Sequence, residues 1–252
     1  MNFGIFITCR NGSKRLPGKC NLEFINKTSY IEYIFKRTLK VKTKCKIILC
    51  TTKNKSDLNL VKTAKKFKIN TFRGDTLDKL KRWKDAAKKF KIDFFVTIDG
   101  DDPLFDPELV DKAFKQYLIN KPDFIEGKKL ICGLFTYGIK TIALEKVCKI
   151  KNTNKTEMMS IYFTNTGLFN CEQLKRINKK YYRDDIRLTL DYPEDHVFFK
   201  TLINNFKKKI FFSTLEIISI INKYPKILKI NKHRIMEWKN NQLKNTKLIL
   251  KK

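Results

Sequence analysis

The sequence predicts an α/β protein: a three-layer sandwich in which a mostly parallel, mixed sheet lies between helices. Two observations carry that prediction. Short apolar runs bounded by polar loops recur at residues 3–9, 46–51 and 94–98, as buried strands do. Between them stand segments whose apolar residues return at helical spacing, giving the order β-α-β-α-β-α-β-α with a short third strand, the pattern of a parallel sheet covered on both faces. The size agrees. With 252 residues, 42% of them hydrophobic and 12% aromatic, the chain can build one large core.

Taken in order, residues 3–9 are the first strand, and Tyr30, Ile31, Ile34, Phe35 and Leu39 place a helix over 29–39. A second strand follows at 46–51 and a second helix at 58–67. Asp75 is placed to cap a third helix whose apolar face is Leu77, Leu80, Trp83, Ala87 and Phe90. The strongest strand, 94–98, leads to a helix from Pro107 to Tyr117. The second half is less regular. It reads as strands at 130–137 and 186–190, helices at 142–150, 172–180 and 193–206, and a last short helix opened by the capping box Ser213 and Glu216. Beyond Tyr224 the chain is basic and polar, with Ile235, Met236 and Trp238 as apolar anchors. The reading divides the chain into a body, 1–212, and a basic helical extension, 213–252, packed on it.

Composition excludes several classes. The apolar runs are too short for a transmembrane helix of about 18 residues or more, and residues 1–9 lack the basic start and cleavage site of a secretory signal. Seven cysteines form no C-x-x-C pair and there are two histidines, so a zinc site is not expected and the thiols read as reduced, in a cytoplasmic protein. Lys and Arg number 55 against 25 Asp and Glu, a net charge of +30. Such a charge suits a polyanion partner. It equally suits a lysine-rich composition, since nine of the basic residues are Arg and the lysines are spread along the whole chain. Nucleic acid is therefore not the expected partner.

Four blocks carry chemistry. Ligands of such sheets sit beyond the carboxyl ends of strands, where the first strand runs into Arg10, Asn11, Gly12, Ser13, Lys14, Arg15, Leu16, Pro17, Gly18 and Lys19. Backbone amides and cations together suit a triphosphate, although a solvated basic turn would look alike. It is not a Walker A loop, because the glycine spacing differs and Cys20 stands where Ser or Thr would hold magnesium. The second block, Asp99, Gly100, Asp101, Asp102 and Pro103, ends the central strand. It reads as hard-cation ligands or as an acidic turn before the next helix. The third, Arg187 to Asp195, delivers Asp191 to the end of a strand, with Pro193, Glu194 and Asp195 opening a helix. The fourth is Phe72, Arg73 and Gly74, then Asp78 and Arg82 at i and i+4 on one helix face, where a solvated ion pair is the plain alternative.

Together these blocks resemble the cytidylyltransferase family that activates acidic sugars as CMP conjugates, its spore-coat-polysaccharide branch above all, with kinship to the CMP-Kdo and CMP-sialic acid synthetases. Residues 10–19 are similar to A-R-x-G-S-x-R-L-P-G-K, with Cys9 for the usual Ala; Phe72 to Arg82 resembles F-R-G-x-x-x-D-x-x-x-R. Gly100 to Leu104 resembles G-D-x-P-L, Arg187 to Asp195 resembles R-L-T-x-D-x-P-E-D, and Lys229, Ile230, Asn231, His233 and Arg234 resemble the branch's C-terminal segment. The resemblance covers nearly the whole chain. It departs from the family at Asn26-Lys27-Thr28, at Asp99, and at Met158, which stands where many relatives have the His of a Glu-His pair.

The resemblance implies a nucleotide-diphospho-sugar-transferase-like fold, a homodimer, and transfer of CMP from CTP to an acceptor hydroxyl with release of pyrophosphate. By that analogy Arg10, Gly12, Ser13, Arg15, Lys19, Asp78 and Arg82 bind the nucleotide, and Asp101 and Asp191 hold Mg²⁺. Arg10, Lys19, Asp101 and Asp191 carry the chemistry, while Arg73 and Arg187 meet the acid of the acceptor. The acceptor expected is a nonulosonic or Kdo-like acid, with a non-sugar acid such as a phosphonate as the alternative. Two rival readings remain. Asp99-Gly100-Asp101 satisfies the D-x-D of a nucleotide-sugar-dependent glycosyltransferase, and a basic RNA-binding module would account for the charge though not for the four blocks.

Overall fold

The computed structural model describes residues 1–156, 158–206, 209–244 and 246–251. The first half contains β1 (Phe3–Thr8), β2 (Glu23–Ile25), β3 (Thr28–Ser29), α1 (Tyr30–Thr38), β4 (Lys46–Thr52), α2 (Leu58–Lys66), β5 (Asn70–Gly74), α3 (Lys79–Phe90), β6 (Phe94–Asp99) and α4 (Pro107–Asn120). The second half contains β7 (Phe124–Glu126), β8 (Tyr137–Lys140), α5 (Thr141–Ile150), α6 (Ile161–Thr164), β9 (Cys171–Gln173), α7 (Pro193–Asn204), α8 (Thr214–Lys223) and α9 (Arg234–Lys244). Among the described residues seven strands form one sheet in the order β5-β4-β1-β6-β8-β7-β9. The first four are parallel, β8 is antiparallel to both neighbours, and β9 is parallel to β7. This is the expected mostly parallel, mixed sheet between helices. No helix among the described residues is long and apolar enough to cross a membrane.

Alternation along β1 separates the layers. Ile5 and Ile7 pack with residues of α1, α2, α4, α7 and α8, whereas Phe6 faces Trp83 of α3, Leu144 of α5 and Phe163 of α6. Fully burying such side chains contributes ~1.5–3 kcal/mol each. Local sequence sets the helix starts. Ser29 and Glu32 form a reciprocal capping box on α1, as Ser213 and Glu216 do on α8. The cap of α3 is Asp78 rather than the expected Asp75. Asp75 instead accepts from the N–H groups of Leu77 and Asp78, both at 2.9 Å, and shapes the turn before the helix.

Three expectations in the second half are corrected. Residues 130–136 form turns, and a strand starts only at Tyr137. Gly133 lies in the left-handed region at φ +93°, where a Cβ would come within 2.4 Å of the Leu188 carbonyl oxygen, so the chain bends there. The expected helix at 172–180 begins as β9, because Phe124 to Glu126 pair with Cys171 to Gln173 and the Glu172 carboxylate takes bonds from Gln116 and Asn120. Residues 186–190 are extended but outside the sheet, joined to Cys132 by one isolated bridge at Arg187. In α8, Ile217, Ile218 and Ile221 belong to the core that holds Ile5 and Phe24, whereas α9 buries no residue.

Candidate active site

The site grows from the register of two neighbouring parallel strands. Thr8 pairs with Asp99, so β1 and β6 release their following loops at the same level. β1 lies between β4 and β6, and the chain leaves it in one direction and returns on the other, the switch point at which open sheets bind ligands. A cavity of about 1000 Å³ opens there. Its lining includes Arg10, Gly12, Ser13, Lys14, Arg15 and Lys19 from the loop after β1 and Asp99, Asp101 and Asp102 from the loop after β6. Thr76, Lys79, Arg82 and Asp191 join them.

Charge organises the floor. Lys19 Nζ donates to Asp101 Oδ2 at 2.6 Å, to the Leu190 carbonyl at 2.7 Å and to Asp191 Oδ1 at 3.2 Å. One ammonium thus ties the acidic turn after β6 to the segment before α7. Burial alone would lower the Lys19 pKa, but Asp101 and Asp191 outweigh it and the amine is held charged. For Asp191 burial pushes upward, and Lys19, Arg15 and Arg187 more than compensate, leaving its pKa below the usual value. Asp101 is shifted upward by burial, with Lys19 opposing and Asp191 and Asp99 adding to the rise. Asp102 is raised further, by burial first and then by Asp101 and Asp99. Burial and mutual repulsion among Asp99, Asp101 and Asp102 thus oppose the charged form at this turn, while the cations hold Asp191 ionised.

Two buried carboxylates outside the cavity lining hold the loops from beneath. Asp57 accepts from the Asn11 N–H at 2.8 Å and from the hydroxyls of Thr51 and Thr52, fixing the loop after β1 to the end of β4. Asp195 accepts from the N–H groups of Asp191 and Tyr192, both at 2.8 Å, and pairs with Arg187. Asp57 escaped the sequence reading, because a lone Asp after a strand looks like any helix cap.

The structure brings Arg10, Gly12, Ser13, Arg15, Lys19, Arg82, Asp101 and Asp191 to one cavity. Arg10 Nη1 donates to the Thr76 carbonyl, and Arg15 Nη2 contacts Asp191 at 2.7 Å. Buried Arg82 leaves its Nε without a hydrogen-bond partner among the described residues. Such an orphaned donor costs about 1–3 kcal/mol unless a ligand meets it. Three expected residues go elsewhere. Asp78 is buried in an ion pair with Lys151 at 2.5 Å and bonded by Thr156, outside the cavity lining. Arg187 is 2% exposed and bonded to Asp195 and Asp191, outside the cavity lining. Arg73 donates to the carbonyls of Thr52, Lys53 and Asn54, outside the cavity lining. The sequence reading missed Lys79, which pairs with Asp99 at 2.7 Å, and the cavity role of Trp238. Met158 lines the cavity, while Glu157 lies outside the described residues.

A family model described as cytidylyltransferase matches residues 5–241. The chain belongs to the cytidylyltransferase family. It is 34% identical over 227 residues to an uncharacterised protein of Methanocaldococcus jannaschii, covering 89% of this chain and 92% of that one. It is 24% identical over 233 residues to the spore coat polysaccharide biosynthesis protein SpsF of Bacillus subtilis, covering 89% and 96%. Among solved structures it is similar to a cytidylyltransferase from Leptospira borgpetersenii, with a TM-score of 0.82, 28% identity, and 90% and 97% of the two chains covered. This cytidylyltransferase is accordingly a nucleotidyl-transferring enzyme with the fold of its relatives, and the cavity above β1 and β6 is where its loops converge.

Proposed function

We propose that the enzyme transfers CMP from CTP to a hydroxyl of an acidic sugar, a nonulosonic or Kdo-like acid, and releases pyrophosphate, making a CMP-sugar for a surface glycan. The observation that carries the reading is the meeting of a cationic loop and an acidic turn in one cavity, joined by Lys19. The part played by the Bacillus subtilis relative in polysaccharide biosynthesis supports the glycan role.

In this reaction the acceptor oxygen bonds to the α-phosphorus and loses its proton, while the bond to the β-bridging oxygen breaks and pyrophosphate leaves. Such a displacement needs positioning and charge more than covalent help from protein. Arg10, Arg15 and Lys19, with the amides around Gly12 and Ser13, hold the triphosphate. Arg82, which also lines the cavity, adds a further cation beside the nucleotide. With Arg73 and Arg187 engaged elsewhere, the acceptor's acid group falls to Lys14 or Lys128, which do line the cavity.

The donor set fits magnesium. Asp99, Asp101 and Asp102 offer oxygens that lie within 4.8 Å of one another, and Mg²⁺ takes one or two carboxylates together with phosphate oxygens. In this reading Asp101 and Asp99 would hold the ion, with Asp191 across the Lys19 ammonium from them, and when bound it would polarise the phosphate and ease ionisation of the acceptor hydroxyl.

The test is pyrophosphate release with CTP and Mg²⁺ across a panel of acidic sugars and phosphonates, with ATP, GTP and UTP as controls. Release that requires both CTP and one acidic sugar is the expected result. Release with a phosphonate alone would replace the acceptor class. Preference for another triphosphate would overturn the reaction.

A further inference from the structure

The C-terminal segment lines the cavity through α9 and is tied to the body before and after that helix. At its start, Arg234 pairs with Glu194 at 2.8 Å and lies 4.9 Å over the Tyr192 ring. Further along, Asn241 Nδ2 donates to Tyr192 Oη at 3.2 Å. Beyond α9 the chain is tied to the end of α5: Asn152 N–H donates to the Ile249 carbonyl and Lys251 N–H to the Ile150 carbonyl, each at 2.8 Å. Tyr162 Oη also donates to the Lys247 carbonyl. Between these anchors α9, about 16 Å long at 1.5 Å per residue, buries no residue of its own. A helix tied to Tyr192 and Glu194, with one face lining the cavity, is a strap.

The face it turns to the cavity is Glu237, Trp238, Asn241 and Gln242, positions i, i+1, i+4 and i+5 on one side of a helix. Trp238 is the largest side chain there and is half-buried. Among the described residues no aromatic ring stacks on it and its indole N–H has no hydrogen-bond partner. Trp83, by contrast, is fully buried, packs on Phe95 and donates to Thr8 Oγ1. A large apolar face left against a polar cavity contributes when a ligand's carbon–hydrogen surface covers it. Its neighbours are a carboxylate and two amides, which between them donate to and accept from hydroxyl groups. Indole beside carboxamides and a carboxylate is a surface for a polyol, one face of whose ring is C–H and whose rim is hydroxyl.

We propose that Trp238 is a specificity-determining residue of the acceptor subsite, the platform on which the ring of the sugar lies, with Glu237 and Gln242 meeting its hydroxyls. The inference rests on the proposed reaction and makes its acceptor polyhydroxylated. The nucleotide has the loop 10–19 for its phosphates and Arg10, Thr76 and Arg82 beside them, and in-line attack brings the acceptor from the side opposite the leaving pyrophosphate. That leaves α9 and residues 126–137 for the acceptor. Tyr192, which carries the strap, directly follows Asp191 and also bears Arg15 at 5.0 Å, so the platform is mechanically joined to the charged centre.

The chain contains two tryptophans, and this makes a direct test possible. Tryptophan emission of the full chain is followed on adding CTP, and then N-acetylneuraminic acid or 3-deoxy-manno-octulosonic acid. The acid should change the emission of the parent and not of Trp238→Phe, while CTP alone changes neither. In steady-state pyrophosphate release, Trp238→Ala should raise KM for the acceptor about tenfold, equivalent to roughly 1.4 kcal/mol. KM for CTP should stay within about twofold, a split that a general loss of folding would not produce, and Trp238→Phe should recover most of the affinity. An emission change with CTP alone, together with a raised KM for CTP in Trp238→Ala, would give the indole to the nucleobase and overturn the proposal. So would unaltered emission with both acids present at millimolar concentration. If the parent released no pyrophosphate with any acid, the proposed reaction would fail, and the emission titration would still decide whether sugars lie on Trp238.

Discussion

Replacing Asp78 by Asn separates the structural reading of this carboxylate from a role in nucleotide binding. Its Oδ2 lies 2.5 Å from Lys151 Nζ, the two side chains being 1% and 7% exposed. Oδ1 accepts from the Lys81 N–H at 3.0 Å and from Thr156 Oγ1 at 3.1 Å. Asn caps a helix about as well as Asp, so Asp78→Asn keeps the start of α3 and removes only the charge. Lys151 is then left buried with the Thr153 carbonyl. Deleting one partner of a buried pair costs ~3–5 kcal/mol, and at roughly 2–4 °C per kcal/mol for a chain of this size the melting temperature should fall by about 6–20 °C. Adding Lys151→Met removes the stranded ammonium, and the double variant should regain most of that loss. Scanning calorimetry measures the stability, and pyrophosphate release well below the transition measures KM for CTP. A melting temperature within about 2 °C of the parent, combined with a much raised KM for CTP, would refute the reasoning and return Asp78 to the nucleotide.

Asp101 and Asp102 should part company when each is changed to Asn. Turnover should fall roughly 10²–10³-fold for Asp101→Asn, the scale for losing one preorganised charged group. It should survive in Asp102→Asn, because burial and the neighbouring Asp101 and Asp99 already favour the protonated form that an amide imitates. Equal losses in the two variants would contradict the charge assignment. His196 Nδ1 and the Tyr30 hydroxyl share a hydrogen bond at 2.9 Å, and burial, then Lys200, lowers the His196 pKa. Below the unfolded value near 6.5 the unfolded chain binds the proton more readily, so this contribution is whole above about pH 6.5 and is lost as pH falls through the folded value. Melts between about pH 7.5 and 5 should show a shallower slope in His196→Gln, and an unchanged slope would remove the contribution. Cys9 Sγ and Cys20 Sγ lie 2.7 Å apart at the two ends of the loop that holds Arg10 to Lys19. Diamide should take up two hydrogens from this pair, join the sulfurs and weaken CTP binding, with CTP itself slowing the reaction. A thiol titre that stays at seven would count against it.

The first half of the fold was readable because its information is local. Runs such as Phe94 to Ile98 are long, apolar and bounded by turns, and α1 announces itself through Ser29, Glu32 and a helical stripe. The second half depends on partners distant in sequence. β7 and β9 have three residues each and exist because they pair across more than forty positions, so the helical preference of Glu172 and Gln173 was overridden. The site divides along the same line. Arg10, Lys19 and Asp101 follow strand ends, and their exposure to a ligand can be read from that position. Whether a charged residue in a motif faces the ligand or the core cannot, since Asp78 and Arg187 are consumed by Lys151 and Asp195 only once the chain has folded. Trp238 was read as an anchor because an aromatic on a polar helix is ordinarily a core residue. It became a cavity residue through the ties at both ends of α9.

Asp195 separates what may vary from what must stay. Its carboxylate grips the backbone of Asp191 and Tyr192 from below and takes bonds from Arg187 and Asn231, none of which depends on the shape of the acceptor. The charged centre therefore stands on a pedestal of its own, while α9 and the loop around Gly127, Lys128 and Leu130 form a rim that can be rebuilt. A designer who wished to change the acceptor would exchange rim residues and leave the pedestal untouched, and natural drift could retune the substrate by the same route without relearning the chemistry.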